Sequence, residues 1–299
     1  GSYTTDLAAL HCARHGLPLL LTVYGYVFHR SLLRAGKRLY DLTFGRWLLR
    51  RAERVFYPSD EQRDELLAAA GARLGPQLRA RLVWRPNSFL PLPPPDPGLT
   101  GQLRRRHRRP GQRLALVVAR LLPRKGLDTL LDALARIDGA ASRRLRLLVV
   151  GPDCGSREQL QRQAARLGLQ DRVCFEGSVP YDRVSAYFHL CDLFVLPSWY
   201  EGLPLALLEA MWCGKPAVFS DIPCARRVLR HDHDALLVPP RDPRALARAL
   251  TRLLDDEALG RRLGRAARRT AAELTCQAEV EALELVYRDV LARRPRASR

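Results

Sequence analysis

Lysine is scarce in this sequence of 299 residues, since only three of its 50 basic side chains are lysine and the rest are arginine. The formal net charge of +19 therefore reflects in part a general preference for arginine. The remaining positive charge would attract anions such as nucleotide phosphates, nucleic acid or an acidic membrane face. Recognisable nucleic-acid-binding modules and stacking aromatics beside the basic clusters are missing, which argues against nucleic acid as a partner.

Cysteine pairs of the type Cys-x-x-Cys are also missing. The seven cysteines are odd in number and lie mostly inside apolar runs, where a thiol packs as a small hydrophobic group. This pattern argues against a disulfide framework or a zinc site, and it predicts a reducing, cytoplasmic location. No apolar run reaches the length of about 20 residues that a membrane-spanning helix needs.

Six short apolar runs in the second part of the chain predict buried strands. Each is apolar on successive residues, which is typical of parallel strands covered by helices on both faces. Helical patterns lie between them, and Asp242-Pro243 is a typical helix start. The alternation predicts a doubly wound α/β domain. The runs are Leu114–Ala119, Leu145–Val150, Val173–Phe175, Leu193–Leu196, Ala217–Phe219 and Leu236–Val238.

A proline-rich segment and an arginine-rich segment suggest a boundary between two domains. We predict a partial N-terminal Rossmann-like domain over residues 1–98, a linker over 99–112, and a C-terminal domain over 113–299. The first domain has three predicted strands, at Leu19–Val23, Val55–Tyr57 and Leu82–Trp84. Three strands are few for a covered parallel sheet, so we expect this domain to be incomplete.

The strongest motif follows the predicted strand Leu193–Leu196 and opens a helix, over residues 197–211. We place Pro204 at the first helical position, which leaves the next amides free at the carboxyl end of a parallel strand. Such a helix start is a ready anion-binding site. Glu201 and Glu209 flank it, and their spacing fits two separate contacts on an extended ligand better than a glycosidase pair.

A second motif, over residues 118–126, also links a strand to a helix. Its Arg120 and Lys125 are five residues apart on one loop, so both cations can converge on a diphosphate. The choice of lysine at position 125 is unusual in a chain so rich in arginine, and a flexible point charge suits a phosphate.

Together these two motifs resemble the group 1 (family four) retaining glycosyltransferases. The resemblance implies an α/β, GT-B fold of two Rossmann-like domains with parallel sheets. It further implies that Glu201 lies by the donor sugar, that Glu209 hydrogen-bonds the ribose, and that Arg120 and Lys125 hold the leaving nucleoside diphosphate. The resemblance implies donor-site residues in the neighbouring loops as well, namely Gly151, Gly177, Ser178, Val179, Gly202, Leu203, Pro204 and Leu205.

Upstream, the resemblance is less specific. Tyr24 stands where the family usually has a histidine that touches the donor sugar, so Tyr24 is a possible donor-sugar contact. We expect the N-terminal domain to be truncated and to lack the family's glycine-rich loop after its first strand, because the sequence begins downstream of the segments that match. We therefore expect this chain to bind nucleotide with little or no transfer.

The family implies metal-independent transfer of a hexosyl or N-acetylhexosaminyl group, with no cofactor besides the nucleotide-sugar donor. The acceptor would be a glycan, a glycolipid or a lipid-linked sugar. A non-catalytic nucleotide-sugar-binding module is the alternative. Asp232-His233-Asp234 resembles the metal motif of the other glycosyltransferase fold, but no ligand cluster accompanies it, so we predict no metal site. His107 and His189 have no visible partner.

Residues 30–54 combine eight basic residues with leucines, Phe44 and Trp47 in a helical pattern. Such a segment can lie on an anionic membrane, with arginine at the headgroups and aromatic rings at the boundary. A lipid-linked acceptor would give this surface a purpose and would make the protein peripheral on the inner face of the membrane. The alternative is that the apolar residues pack on the N-terminal sheet.

Overall fold

A computed structural model describes residues 3–23 and 40–293 of the chain. The chain divides into two compact units. Unit 1 comprises Gly1–Asn87 together with Gln277–Arg299, and unit 2 comprises Ser88–Cys276. This division differs from the predicted domain boundaries at both ends of the second domain.

The N-terminal part of unit 1 contains a parallel three-stranded sheet in the order β1 (Leu19–Thr22), β2 (Ala52–Tyr57), β3 (Leu82–Trp84). The predicted strands all form, and the helices before and after β2 bury leucines in the core of this unit. The helix over Asp60–Arg79 begins after Ser59, whose side chain accepts a hydrogen bond from the amide of Gln62. The elements are α1 Tyr3–Arg14, β1 Leu19–Thr22, α2 Arg46–Arg51, β2 Ala52–Tyr57, α3 Asp60–Arg79 and β3 Leu82–Trp84.

Unit 2 contains a six-stranded parallel sheet with helices between its strands. Its elements are α4 Pro97–His107, β4 Arg113–Val118, α5 Leu127–Ala135, α6 Gly139–Arg144, β5 Leu145–Val150, α7 Arg157–Arg166, β6 Val173–Gly177, α8 Tyr181–Leu190, β7 Leu193–Leu196, α9 Leu205–Trp212, β8 Ala217–Ser220, α10 Pro223–Val228, β9 Leu236–Val238, α11 Pro243–Asp255 and α12 Glu257–Ala272. The six predicted strands are confirmed to within two residues at each end. The predicted helix start at Asp242-Pro243 is confirmed too, because the Asp242 carboxylate accepts from two amides of α11.

The segment predicted to be a linker, 99–112, is mostly helix. Asp96 caps α4 by accepting from the amide of Gly98, and Pro97 occupies its first turn; both residue types favour a helix start. Leu103 and His107 are then buried within unit 2. The arginines between them stay in solvent, which is why the segment has the composition of a linker although it packs as a helix.

The last helix, α13 (Cys276–Ala292), lies almost wholly in unit 1 rather than in the second domain. Asp289 forms an ion pair with Arg54 at 3.0 Å, and Arg85 donates to the carbonyl of Ala282 at 3.2 Å. Helix α13 therefore joins the sheet of unit 1 through charged contacts that a sequence pattern does not reveal.

The strand order of the larger sheet, β6-β5-β4-β7-β8-β9, fixes where its loops meet. The chain runs outward from β4 through β5 to β6, and then crosses back to place β7 on the other side of β4. The carboxyl ends of β4 and β7 therefore form a topological switch point. In open parallel sheets ligands bind in the crevice at such a point.

Candidate active site

Four loops meet at the carboxyl edge of the larger sheet, and backbone hydrogen bonds tie them together. The amide of Gly151 donates to the carbonyl of Gly177 at 2.8 Å, and the amide of Leu121 donates to the carbonyl of Pro152 at 3.0 Å. Across the switch point, the amide of Trp199 donates to the carbonyl of Arg124 at 2.8 Å. The loops that carry the two sequence motifs are thus directly joined.

Lys125 and Glu201 form a buried ion pair at this junction. The Lys125 Nζ lies 2.5 Å from the Glu201 Oε1, and the two residues are only 8% and 7% exposed. Lys125 ends a short 3-10 turn that follows β4, whereas Glu201 lies in the loop after β7. The structure therefore brings together one residue from each motif.

Two glycines allow the loops to approach this closely. Gly126 has a φ of +68°, and a Cβ at this position would lie 2.1 Å from the carbonyl oxygen of Pro197. Gly151 has a φ of +145°, and its Cβ would lie 1.9 Å from the carbonyl oxygen of Ala119. Both positions combine a backbone conformation that favours glycine with a backbone contact that admits no side chain.

Arg120 is exposed at the same edge, on the loop after β4. Within residues 3–23 and 40–293 its guanidinium has neither an ion pair nor a hydrogen bond. Arg120 is therefore a cation at the switch point with its charge available to a ligand, in contrast to Lys125, which is held by Glu201.

The start of helix α9 differs by one residue from the prediction. Pro204 is the residue before the helix, in an extended conformation with φ −75° and ψ 129°. Its carbonyl accepts from the amide of Leu207 at 3.1 Å, so only the amides of Leu205 and Ala206 have no partner among the described residues. Of the next amides, which the sequence predicts to be free, that of Leu207 is therefore paired, because the proline carbonyl tightens the first turn.

Glu209 lies inside α9, and it is 5% exposed. The hydroxyl of Tyr181, at the start of α8, donates to its Oε1 at 3.2 Å. Burial raises the pKa of Glu209, and the hydrogen bond from Tyr181 opposes that shift. A carboxylate that is buried and holds one weak partner is well suited to accept further hydrogen bonds from a ligand.

The remaining predicted donor-site residues lie on the converging loops. Gly177 has a φ of +85° at the end of β6, and Ser178 after it is exposed. Val179 packs against the core of unit 2. In the loop before α9, Gly202 is partly buried and Leu203 is buried. Tyr24 lies outside the described residues.

Arg241 and Trp199 form a contact that sequence reasoning missed. The guanidinium carbon of Arg241 lies 3.9 Å from the centroid of the Trp199 ring, and Arg241 has a φ of +60°. A left-handed conformation is uncommon for a non-glycine residue. The Arg241 guanidinium therefore stacks on the loop between Pro197 and Glu201. In the sequence, an arginine in the turn before Asp242 does not by itself indicate this contact.

Asp232 and Asp234 have partners other than a metal. Asp232 pairs with Arg252 at 2.9 Å and with Arg262 at 3.4 Å. Asp234 is fully buried, and it accepts from the amide of Arg230 and from the hydroxyl of Thr270. Both carboxylates thus stabilise the turn before β9.

The segment 30–54 is described only from residue 40 onward. There, Leu48 and Leu49 are buried, and Phe44 and Trp47 pack against the core of unit 1. The predicted helix stops at Arg51, because β2 begins at Ala52. These four apolar side chains thus pack in the core of unit 1. In the described ranges, no helix combines the length and apolarity needed to cross a bilayer.

The family described as glycosyl transferases group 1 matches residues 101–270. The match includes both motifs and the whole carboxyl edge of the larger sheet. The chain belongs to the group 1 glycosyl transferases. A second family description, glycosyl transferase 4-like domain, matches residues 1–83.

Several relatives have names that specify a reaction. The chain is 30% identical to a D-inositol 3-phosphate glycosyltransferase of Streptomyces bingchenggensis, over 80% of this chain and 53% of that protein. It is 34% identical to a GDP-mannose-dependent alpha-(1-6)-phosphatidylinositol monomannoside mannosyltransferase of Mycobacterium tuberculosis, over 58% of this chain and 46% of that protein. The chain thus spans about half the length of these curated relatives.

Solved structures of GT-B glycosyltransferases share the fold. HepE of Anabaena in complex with UDP has a TM-score of 0.78 at 21% identity, over 95% of this chain and 76% of that one. Sucrose-phosphate synthase of Thermosynechococcus elongatus has a TM-score of 0.71 at 24% identity, over 97% of this chain and 77% of that one. The predicted GT-B class, with parallel sheets in both units, is confirmed.

Proposed function

We propose that this chain carries the donor site of a retaining glycosyltransferase, which moves a sugar from a nucleoside-diphosphate sugar to an acceptor. The observation that carries the proposal is the buried Lys125–Glu201 pair at the switch point between β4 and β7. A lysine and a glutamate brought together from two loops at this edge can contact a diphosphate and the adjoining sugar at the same time.

The diphosphate would bind to Arg120, Lys125 and the free amides at the start of α9. The Arg120 guanidinium has no ion pair or hydrogen bond to a described residue, and Lys125 is fixed in direction by Glu201. Positive groups that are oriented before reaction stabilise the charge that develops on a leaving group. Arg120 and Lys125 can stabilise the negative charge of the leaving diphosphate, as a divalent ion does in other transferases. We therefore propose metal-independent transfer.

Glu209 would bind the ribose hydroxyls. Its carboxylate is buried, and within the described residues it holds a single hydrogen bond, from Tyr181. A charge-assisted hydrogen bond to a buried acceptor contributes about 1.5–3 kcal/mol. Gly151 and Gly177 have no side chain, so the loops after β5 and β6 would let the nucleotide approach the backbone.

Retention of configuration implies that the acceptor attacks from the face that the diphosphate leaves. In that step the bond between the anomeric carbon and the diphosphate oxygen breaks, and the acceptor oxygen bonds to the anomeric carbon. The departing phosphate takes the acceptor's proton. Glu201 would lie by the donor sugar, with its charge balanced by Lys125 throughout.

The transferred group would be a hexosyl or N-acetylhexosaminyl unit, and the acceptor a glycan or a lipid-linked sugar. The named acceptors of two relatives, an inositol phosphate and a phosphatidylinositol mannoside, support a polyol phosphate or its lipid-linked form. HepE is in complex with UDP, and the mycobacterial relative is named as GDP-mannose-dependent. UDP and GDP are therefore both candidates for the nucleotide of the donor. We propose a cytoplasmic protein, peripheral on the inner face of the membrane.

The test is a transfer assay with the full chain. UDP-, GDP- and ADP-sugars are first ranked by thermal shift, and the best donor is then incubated with inositol phosphate and with a phosphatidylinositol mannoside. Since we expect little or no transfer from this chain, the first outcome expected is donor binding, and we predict that any product formed has, by NMR, the same anomeric configuration as the donor. An inverted product would overturn the retaining mechanism. A product of either configuration would exclude the alternative of a non-catalytic nucleotide-sugar-binding module, and the absence of binding by all three donor classes would contradict the donor site.

A further inference from the structure

His107, Cys174 and Glu176 bring three different metal-ligand atoms together away from the two motif loops. The imidazole Nε2, the thiol Sγ and a carboxylate oxygen all lie within 4.8 Å of one another. His107 ends helix α4, and Cys174 and Glu176 alternate along β6, so both β6 side chains lie on one face of this edge strand. His107 therefore has neighbours that its sequence context did not reveal.

The distances fit a small coordination sphere. The His107 Nε2 lies 3.4 Å from the Glu176 Oε2, and the Cys174 Sγ lies 3.9 Å from the same oxygen. In a tetrahedral zinc site the metal lies about 2.0–2.1 Å from nitrogen, about 2.0–2.2 Å from oxygen and about 2.3 Å from sulfur. Ligand atoms of such a site are separated by roughly 3.3–3.7 Å. These two separations are close to this range, and the third, between the imidazole nitrogen and the thiol sulfur, is within 4.8 Å.

The carboxylate is oriented so that one oxygen faces the other two ligands. Arg106 donates to the Glu176 Oε1 at 2.9 Å, and the hydroxyl of Tyr187 donates to the same oxygen at 3.3 Å. The Oε2 is the oxygen that faces His107 and Cys174. Hydrogen bonds to the outer oxygen of a ligating carboxylate are a regular feature of metal sites.

His107 supplies the second observation. It is 3% exposed, yet its Nε2 makes no hydrogen bond to any described residue. A buried ring nitrogen without a hydrogen bond costs free energy, and the 3.4 Å approach to Glu176 satisfies it only in part. The ring lies 3.4 Å from the carboxylate and within 4.8 Å of the thiol, so a cation held by all three groups would be a partner for its unpaired nitrogen.

We propose that His107, Cys174 and Glu176 bind a divalent transition metal of the zinc type, with a fourth position for water. Nitrogen, sulfur and carboxylate oxygen are the ligands that zinc prefers. Binding forms a sulfur–metal bond and releases the thiol proton to solvent. One thiolate and one carboxylate neutralise the two positive charges of the ion. The positive charges of Arg106 and Arg146, which act on Cys174, would repel the ion and weaken its binding.

The role of the ion would be structural. β6 is an edge strand with β5 as its one sheet neighbour, and α4 ends at His107. A metal would hold the end of the helix to the edge of the sheet. It lies outside the residues proposed to hold the donor, so this inference stands whether or not the proposed transfer is correct.

The experiment titrates zinc, and separately cobalt(II), into the metal-free full chain without an affinity tag. We expect one equivalent of zinc to bind and to raise the melting temperature, and we expect cobalt(II) to give the absorption band of a thiolate ligand. Cys174→Ser and His107→Ala should each abolish the thermal shift and the thiolate band.

The matched control is Cys154→Ser, since Cys154 is an exposed free cysteine of the same unit. It should bind the metals as the wild-type chain does. Equal zinc binding by the wild-type chain and by Cys174→Ser would overturn the proposal, and so would the absence of binding by the wild-type chain. Should His107→Ala fail to fold, the nearly isosteric Cys174→Ser still decides the question.

Discussion

Lys125 and Glu201 are 76 positions apart in the chain, and their charged atoms lie 2.5 Å apart in a buried ion pair. The pair joins the loop after β4 to the loop after β7. Removing one member of a buried ion pair leaves an uncompensated charge, whereas replacing both members by apolar groups is often tolerated. This asymmetry allows the structural role of the pair to be separated from its role in binding.

Lys125→Met should lower the free energy of unfolding by about 3–5 kcal/mol, because Glu201 then keeps a buried charge without a partner. The double variant Lys125→Met/Glu201→Leu should regain most of that loss, as measured by urea denaturation. It should still fail to bind a nucleoside diphosphate. If the double variant is less stable than either single variant, the two charges do not compensate each other.

Gly126→Ala and Gly151→Ala should each unfold the chain or destabilise it severely, because a Cβ would lie about 2 Å from a carbonyl oxygen of a neighbouring loop. Gly168→Ala is the matched control. Gly168 has a φ of +65°, but no atom lies within 4 Å of the position that a Cβ would take there, so only the backbone strain of about 1–2 kcal/mol applies. Equal losses in all three, measured by thermal denaturation, would show that the close approach of the loops is not needed.

Glu209→Gln should stabilise the folded chain while weakening nucleoside diphosphate binding. Burial raises the pKa of Glu209, so the folded state holds the carboxyl proton more tightly than the unfolded state does. Wild-type stability therefore falls as the pH rises from the ordinary glutamate pKa through the raised folded pKa. The variant lacks this dependence.

The difference in melting temperature between Glu209→Gln and the wild type should accordingly grow from acid to neutral pH and then level off. Tyr181→Phe serves as a comparison, since it removes the hydrogen bond and keeps the carboxylate. A variant less stable than the wild type at neutral pH would contradict the assigned cost of burial.

Arg241→Gly should change stability little, because two effects oppose each other. Glycine relieves the strain of a φ of +60°, while the loss of the contact with Trp199 removes about 0.5–1 kcal/mol at an exposed site. A double-mutant cycle with Trp199→Ala, followed by urea denaturation, isolates the contact. Additive single effects would show that the arginine does not hold the loop.

Much of the fold followed from apolar runs, because strands that are buried on both faces have a distinct composition. The motif residues were found in the same way, by their position between a strand and a helix. The contact between Lys125 and Glu201 was not predictable from spacing. It depends on β7 pairing with β4, and that pairing is set by tertiary packing.

Two differences between the predicted and the observed elements have local causes. The composition of α4 predicts a linker, because its arginines outnumber its buried residues, Leu103 and His107. The sequence places the start of α9 one residue too early, because proline favours the first helical position, whereas Pro204 is the extended residue before the helix. Arg241 and Trp199 are 42 residues apart and share no periodic pattern, so their stacking had no signal in the sequence.

The most direct test of the proposed donor site is calorimetric titration of the full chain with UDP and GDP, comparing the wild type with Arg120→Ala and Arg124→Ala. The two arginines belong to the same loop, and only Arg120 is proposed to bind the diphosphate. We predict that Arg120→Ala weakens binding of the preferred nucleotide about tenfold or more, equivalent to about 1.4 kcal/mol, and that Arg124→Ala binds as the wild type does. Equal losses in both variants, or no binding by the wild type, would contradict the account.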